Sequence, residues 1–259
     1  MIEHSKVTIK TIAKKAGVSH TTVSRALNDS PLVNEKTKKK IHQLAVEMNY
    51  SPNLNAKALV EKKSFLVVVY FTDLSEGTSP AFMAEVIHQV KDALPRGYEV
   101  AVDSLADLRT THQNINLQFD GALVFSQSTS DDEYIDQLAS TGKPVVVLNR
   151  KVDRSDLHNY SCNDYAGATL AVKYLLRFGH KKIAFISGRK DFASAKLRKQ
   201  GFEETIKQAH LQTRSQWIAN GDYSIQSGYR AMEQILSAEE LPSCVFAAND
   251  DMAMGAIRA

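Results

Sequence analysis

The chain has 259 residues, of which 43% are apolar and 24% charged, a composition typical of a globular protein with an ordinary core. No apolar run is long enough to span a bilayer and the first ten residues contain no apolar leader, so we expect a cytoplasmic protein with no membrane partner. Cys162 and Cys244 lack metal-like spacing, and we expect both to be buried thiols in a reducing compartment.

The net charge of +3 is distributed unevenly along the chain. Residues 1–63 hold 12 Lys and Arg against 5 Asp and Glu, whereas residues 64–259 hold 20 against 24. A basic head suits a polyanion such as nucleic acid, and an acidic body does not. Charge alone leaves open the alternative of a merely solvated basic surface.

Residues 1–50 are predicted to form an all-α head of three short helices, because apolar residues recur there at helical spacing after N-capping residues. Gly17 separates the first two helices, and so short a break is typical of a helix-turn-helix. The predicted N-caps and helices are Thr8 before Ile9–Ala16, Ser19 before His20 to about Asn28, and Asn34 before Glu35 to about Met48.

The second helix carries several polar residues that the core of the head does not need. None of them is a carboxylate, which phosphates would repel, and Arg and Thr can reach base edges or phosphates in the major groove. Taken singly, Arg25 could be an ordinary surface arginine and His20 a helix-start residue without a role. Together they favour DNA contact by His20, Thr21, Thr22, Ser24 and Arg25.

The run AGVSHTTVSRALN, followed by VNEKT and NYSPNLNAKAL, resembles the DNA-binding head and hinge of the lactose-repressor (LacI/GalR) family. The resemblance continues through the body to the last residue, and it implies a homodimeric regulator, most simply a repressor, on a near-palindromic double-stranded operator. It implies that His20, Thr21 and Arg25 read bases. The phosphate-contacting positions that it implies are Thr8, Ser19, Thr22, Ser24 and Asn28.

Residues 51–63 are predicted to be a hinge. Pro52 ends the third helix, and Asn53 can cap a segment too short to be a stable helix alone. The resemblance implies that Asn53, Ala56 and Leu59 contact DNA, with Leu59 wedged between base pairs in the minor groove. The alternative is a flexible linker whose Leu59 packs on the body.

Residues 64–259 alternate strand-like and helix-like runs, which predicts an α/β body of two doubly wound parallel-sheet lobes like those of periplasmic binding proteins. We place the lobes at about 64–160 and 161–259. The resembling family continues well beyond Ala259, so we expect the second lobe to be incomplete. The predicted strands lie at 65–71, 99–105, 121–125, 144–149, 182–187 and 243–249.

Ligands of open α/β sheets bind beyond the carboxyl ends of the strands, so polar residues at those positions are the candidates for a small-molecule effector site. The resemblance implies that the effector is a sugar, a sugar phosphate or a nucleobase. Arg198, predicted to start a helix, and Asn249 and Asp250 match the family best. The full candidate set is Asp73, Phe82, Asn149, Arg150, Arg198, Tyr223, Asn249 and Asp250.

Each candidate also has an ordinary structural explanation. Asn249 and Asp250 could simply cap a helix, Arg198 could belong to an ion pair, Tyr223 could be core and Asp73 a turn residue. The sequence contains no catalytic motif, glycine-rich phosphate loop or metal-spaced His/Cys cluster, so we expect no enzyme activity, cofactor or metal. A solute-binding protein is the main alternative function, and the basic head argues against it.

Overall fold

The computed structural model describes residues 7–50, 61, 63–115 and 118–259. Its contacts divide the chain into two compact units, residues 1–63 and residues 64–259. Each unit has a hydrophobic core of its own. No helix among the described residues is both long enough and apolar enough to cross a membrane.

The head contains three helices, whose bounds are α1 (Ile9–Ala16), α2 (His20–Leu27) and α3 (Glu35–Glu47). Thr8, Ser19 and Asn34 cap them, each accepting a hydrogen bond from the backbone N–H three residues later. Gly17 ends α1 in the left-handed region at φ 72°. The three helices enclose a small core that includes the fully buried Ile12, Val23 and Ile41. The N-capping residues and the helical spacing of apolar residues therefore predicted the bounds of these three helices closely.

The body begins with a five-stranded sheet in the order β2-β1-β3-β4-β5, in which every neighbouring pair is parallel. Helices connect the first four strands along the chain, whereas residues 149–157 join the fourth strand to the fifth without a helix. We call this part, residues 64–160, the first lobe. Its elements are β1 (Leu66–Phe71), α4 (Pro80–Ala93), β2 (Glu99–Ser104), α5 (Leu105–Thr110), β3 (Gly121–Phe125), α6 (Asp132–Ser140), β4 (Val145–Leu148) and β5 (His158–Tyr160).

Residues 161–259, which we call the second lobe, contain a three-stranded parallel sheet in the order β7-β6-β8 among the described residues. Its central strand β6 is buried along its whole length, as the apolar run IAFIS predicts. The elements are α7 (Asp164–Arg177), β6 (Ile183–Ser187), α8 (Ala193–Gln208), β7 (Ile218–Asn220), α9 (Ile225–Leu236), β8 (Cys244–Ala247) and α10 (Asp250–Arg258).

The prediction of a helical head on an α/β body with parallel sheets is confirmed. The structure adds two strands, β5 and β7, of only three residues each, which are too short to show a sequence pattern. It also corrects two details. Arg198 is not at the start of its helix but the sixth residue of α8, and Cys162 is exposed rather than buried because it follows the edge strand β5. Cys244 is only partly buried.

Candidate functional site

The outer face of α2 is the candidate surface of the head. His20, Thr21 and Arg25 are exposed there, whereas Val23 and Ala26 on the opposite face are buried in the core. Thr22 and Ser24 are half-buried, and Asn28 is exposed as the C-cap of the helix. The exposed side of α2 thus presents one guanidinium, one imidazole and hydroxyl groups without a carboxylate, which is the chemistry that base edges and phosphates accept.

Two predicted phosphate contacts have structural roles in the head. The Ser19 hydroxyl accepts the Thr22 backbone N–H at 3.1 Å and lies 2.9 Å from the Thr22 hydroxyl. Thr8 forms a reciprocal capping box with Thr11. Both capping residues remain exposed, so capping does not prevent a contact with phosphate. The predicted hinge residues Asn53, Ala56 and Leu59 lie outside the described residues.

A cavity of about 440 Å³ lies between the two lobes of the body. Most of its lining follows the carboxyl ends of strands in both sheets, which is where open α/β sheets bind ligands. Its size is in the range of small-molecule sites. The lining residues are Gly77, Thr78, Ser79, Ala81, Phe82, Gln127, Asn149, Cys162, Asp164, Ser194, Arg198, Tyr223, Asn249, Asp250 and Asp251.

Arg198 reaches the cavity from α8 and is held by a carboxylate of the same lobe. Its Nε and Nη2 atoms lie 2.8 and 2.6 Å from Oδ1 of Asp164, and its Nη1 donates to the Ala248 carbonyl at 2.5 Å. Asp164 is nearly buried, with 7% of its side chain exposed. The guanidinium therefore reaches the cavity already oriented and already paired, so it can donate hydrogen bonds without being an unbalanced charge.

Asn249 and Asp250 lie where β8 passes into α10, and Asn249 caps that helix as the structural alternative supposed. The Asn249 Oδ1 accepts the Met252 N–H at 3.0 Å, and its Nδ2 donates to the Tyr223 carbonyl at 3.0 Å. Both residues also line the cavity. Asn249 thus both caps α10 and lines the cavity, so the structural explanation and the ligand-binding explanation are compatible.

Tyr223 is both core and cavity wall. Its side chain is 94% buried, its ring stacks on Phe192 with centroids 5.8 Å apart, and its hydroxyl lies 3.1 Å from the Ser194 hydroxyl. Its backbone has φ 76°, in the left-handed region that bulky residues seldom adopt. Burial raises the pKa of the Tyr223 phenol above its usual value.

Asn149 and Phe82 complete the predicted residues that line the cavity. Asn149 follows β4 with φ 77°, and its backbone N–H donates to the Tyr160 carbonyl. Phe82 is 42% exposed and packs edge-on against Phe125, with ring centroids 5.9 Å apart. An exposed aromatic face beside hydroxyl and amide groups is suited to covering a sugar ring.

Two predicted effector residues, Asp73 and Arg150, do not line the cavity. The Asp73 carboxylate turns back on its own loop and accepts hydrogen bonds from Ser75 and Glu76, as in a turn. The guanidinium of Arg150 is 95% buried in the first lobe, donates to the Ser126 hydroxyl at 2.7 Å and forms an ion pair with Asp132. Both residues follow strands as predicted, but Arg150 is bound within the first lobe, and Asp73 shapes its own loop and faces Arg189 of the second lobe.

The sequence prediction missed several polar residues of the cavity, among them Gln127, Ser194 and Asp164. Gln127 follows β3, so the strand-end rule applied to every predicted strand would have found it. It also joins the lobes, because its carbonyl accepts the Ala193 N–H at 2.8 Å and its side-chain oxygen accepts the Ser194 hydroxyl at 3.3 Å. Asp164 had no signal in the sequence beyond its place at the start of a helix.

A helix-turn-helix head on a body of two parallel-sheet lobes, with a cavity between the lobes, defines a class: DNA-binding transcription regulators that respond to a small ligand. Two family descriptions match this chain accordingly. Residues 8–53 match the bacterial regulatory proteins of the lacI family, and residues 80–259 match the periplasmic binding proteins and sugar-binding domain of the LacI family. The chain belongs to the LacI family of bacterial transcription regulators.

Curated relatives and solved structures agree with this assignment. The chain is 42% identical to the probable HTH-type transcriptional repressor ExuR of Bacillus subtilis, covering 98% of this chain and 76% of that protein. It is 34% identical to the HTH-type transcriptional repressor PurR of Pasteurella multocida, over 97% and 76%. The lac repressor dimer bound to operator and an anti-inducer superposes with a TM-score of 0.76 at 28% identity, covering 98% and 77% of the two chains. These relatives are named as regulators, not as enzymes.

Proposed function

We propose that this chain is a homodimeric repressor of the bacterial cytoplasm that binds a near-palindromic operator through α2, with a small polyhydroxylated effector controlling its DNA affinity. The observation that carries the DNA-binding part is the exposed, carboxylate-free face of α2, with His20, Thr21 and Arg25 as base-reading candidates. The dimer is supported by the related lac repressor, which binds its operator as a dimer, and a two-fold dimer matches two near-palindromic half-sites.

Selection of bound duplexes from a random DNA pool, at near-physiological salt, tests this function directly. Enrichment of a near-palindrome would support both specific recognition and dimer formation. Weak, salt-sensitive binding without enrichment would contradict the proposal, since phosphate contacts alone produce it. A solute-binding protein without a regulatory role would show neither enrichment of a site nor weak, salt-sensitive binding to DNA.

Arg25→Ala is expected to cost about 2 kcal/mol of binding free energy at the selected site and to relax base preference at one position of each half-site. The reason is that a guanidinium can donate two hydrogen bonds to one guanine, which no other base accepts in the same way. Binding to the wild-type site and to its single-base variants, measured by fluorescence anisotropy, checks both effects.

Lys39→Ala is the matched control, because Lys39 is an exposed cation on α3. It should leave the ranking of sites unchanged, even if affinity falls on every sequence alike. If Arg25→Ala also lowers affinity equally on all sequences, Arg25 contacts phosphate and not bases.

The effector part of the proposal rests on the chemistry of the cavity. Hydroxyl and amide residues from both lobes line the cavity together with the stacked ring of Tyr223, among them Thr78, Ser79, Ser194, Gln127 and Asn249. The lining contains one cation, Arg198, which is paired with Asp164, and two further carboxylates, Asp250 and Asp251. Such a lining suits a neutral polyol or sugar better than a hydrocarbon or an anion. Effector binding and operator binding must then change each other by the same factor.

Gln127→Ala is expected to weaken effector binding by about tenfold, because it removes one neutral hydrogen-bonding group from the wall and one contact between the lobes. Thermal-shift titration with a panel of neutral hexoses, sugar phosphates and nucleobases identifies the effector class. Calorimetry on wild type and variant then measures the change.

Gln137→Ala, on α6 and outside the cavity lining, is the control and should bind the effector normally. A panel in which no compound raises the melting temperature would contradict the effector proposal while leaving the DNA-binding part intact. Equal effector affinity of Gln127→Ala and wild type would exclude Gln127 from recognition.

A further inference from the structure

The segment 73–79, between β1 and α4, forms a wall of the ligand cavity. Gly77, Thr78 and Ser79 line the cavity between the lobes. The same segment also lines an adjoining space of about 660 Å³, whose other side is formed by residues 222–226 of the second lobe. The position of this segment therefore sets the width of both spaces.

The segment is shaped locally by Asp73. Its Oδ1 accepts the Ser75 N–H at 2.8 Å, the Ser75 hydroxyl at 2.7 Å and the Glu76 N–H at 3.1 Å. Partial burial opposes ionisation of this carboxyl, but these hydrogen bonds and the nearby Arg189 hold its pKa below the usual value. Among the described residues, no backbone hydrogen bond between the lobes involves residues 73–78. Side chains must therefore fix the segment against the second lobe.

Arg189, in the loop after β6, supplies charged contacts between this segment and the second lobe. Its Nη1 lies 3.7 Å from carboxylate oxygens of both Asp73 and Glu76 in the first lobe. Its own lobe orients it: Asp191 accepts from Nε at 3.2 Å and from Nη2 at 3.0 Å, and the guanidinium carbon lies 4.6 Å from the Phe192 ring centroid. Only 26% of the side chain is exposed. A guanidinium held on two sides can bridge two carboxylates without losing much further entropy.

Beside these ion pairs, Gly77 packs closely against side chains of the second lobe. Gly77 has φ +79°, and a Cβ there would lie 2.7 Å from the ring of Phe192 and 3.2 Å from the Arg189 side chain. Phe192 is fully buried and stacks on Tyr223. The segment therefore lies directly on the side chains that also support the aromatic wall of the cavity.

We infer that Arg189 is a positioning residue of the ligand cavity: by bridging Asp73 and Glu76 to the second lobe, it fixes the wall formed by residues 73–79. That this cavity binds an effector rests on the proposed function, whereas the contact of Arg189 with the segment 73–79 does not. Loss of this bridge releases Thr78 and Ser79, which line the cavity, and removes a charged link between the lobes.

Hydrogen exchange of the full chain, without any added ligand, tests this inference. Arg189→Gln should speed exchange at Ser75 and Glu76 by about tenfold, because the segment opens more often once the bridge is gone. Exchange in β1 and β6 and the melting temperature should stay near the wild-type values. Arg189→Lys should give an intermediate rate, since it keeps the charge but not the two-sided fork.

Two further variants separate the bridge from a general effect of charge. Lys190→Gln removes the same charge from the exposed neighbouring residue and should leave exchange at Ser75 and Glu76 unchanged. The double variant Glu76→Gln with Arg189→Gln should speed exchange by less than the product of the two single effects, because both substitutions remove the same ion pair.

Unchanged exchange at Ser75 and Glu76 in Arg189→Gln would overturn the inference. Faster exchange throughout β6 with a lower melting temperature would also overturn it, since Arg189 would then support the fold of the second lobe. Neither result depends on an effector, so a failed effector screen and a failed bridge are distinguishable.

Discussion

Arg198→Met is expected to lower the free energy of unfolding of the body by about 3 kcal/mol, because it leaves the nearly buried carboxylate of Asp164 without its cation. The Arg198 Nε donates to Asp164 Oδ1, Nη2 lies 2.6 Å from the same oxygen, and Nη1 donates to the Ala248 carbonyl, so methionine removes three contacts at once. Methionine keeps much of the length of the side chain, and the loss therefore reports on charge rather than on packing.

Urea unfolding of the body, followed by circular dichroism, measures this loss. The double variant Arg198→Met with Asp164→Asn should recover most of the stability, because no unpaired charge then remains in the interior. Lys199→Met is the matched control on the same helix. Its partner Glu203 is 56% exposed, so that pair should contribute about 0.5 kcal/mol or less.

A loss below about 1 kcal/mol in Arg198→Met would mean that water or another donor satisfies Asp164. If the single variant is strongly destabilised, effector binding should be measured on the double variant, which folds without the guanidinium. Weak effector binding there, with normal stability, would separate a binding role of Arg198 from its structural one. Normal effector binding would leave Arg198 as a structural residue that happens to line the cavity.

The head could be predicted almost to the residue because its signals are local. Each helix starts at a side-chain cap, and each buries the apolar stripe that its 3.6-residue period predicts. The strands of the body were found for a related reason, since β-branched runs such as that of β1 identify buried parallel strands. β5 and β7 carry too few residues for any pattern, and their pairing to β4 and β6 is what makes them strands.

The cavity was predicted less completely than the fold because the direction of a side chain depends on partners distant in sequence. Arg150 follows β4 as a cavity residue should, yet its guanidinium turns inward to Ser126, 24 positions earlier. Ser194, which was missed, lies in α8 and meets Gln127 of the first lobe from 67 positions away. Rules for strand ends therefore locate the edge of the sheet, and only the assembled lobes decide which residues line the cavity.

The head and the body have separate cores, so a defect in the core of the head should leave the body folded. Ile41→Ala is expected to cost about 3 kcal/mol of the head's folding free energy, since a fully buried isoleucine loses most of its side chain and leaves a cavity. A domain this small has about 3–5 kcal/mol of stability in total, so about 0–2 kcal/mol remains and up to about half of the heads are unfolded. Operator binding, which needs both heads of a dimer, should then fall by up to about fourfold.

Gln43→Ala, an exposed neutral change on the same helix, should leave operator binding and stability unaltered. Amide exchange resolves the two units: Ile41→Ala should expose the amides of α1, α2 and α3 while those of β1 and β6 stay protected. If those strands of the body also lose protection, the two cores are energetically coupled despite their separate contacts. If instead operator affinity equals that of the wild type, DNA supplies the missing stability, because a ligand that binds only the folded head stabilises it by mass action.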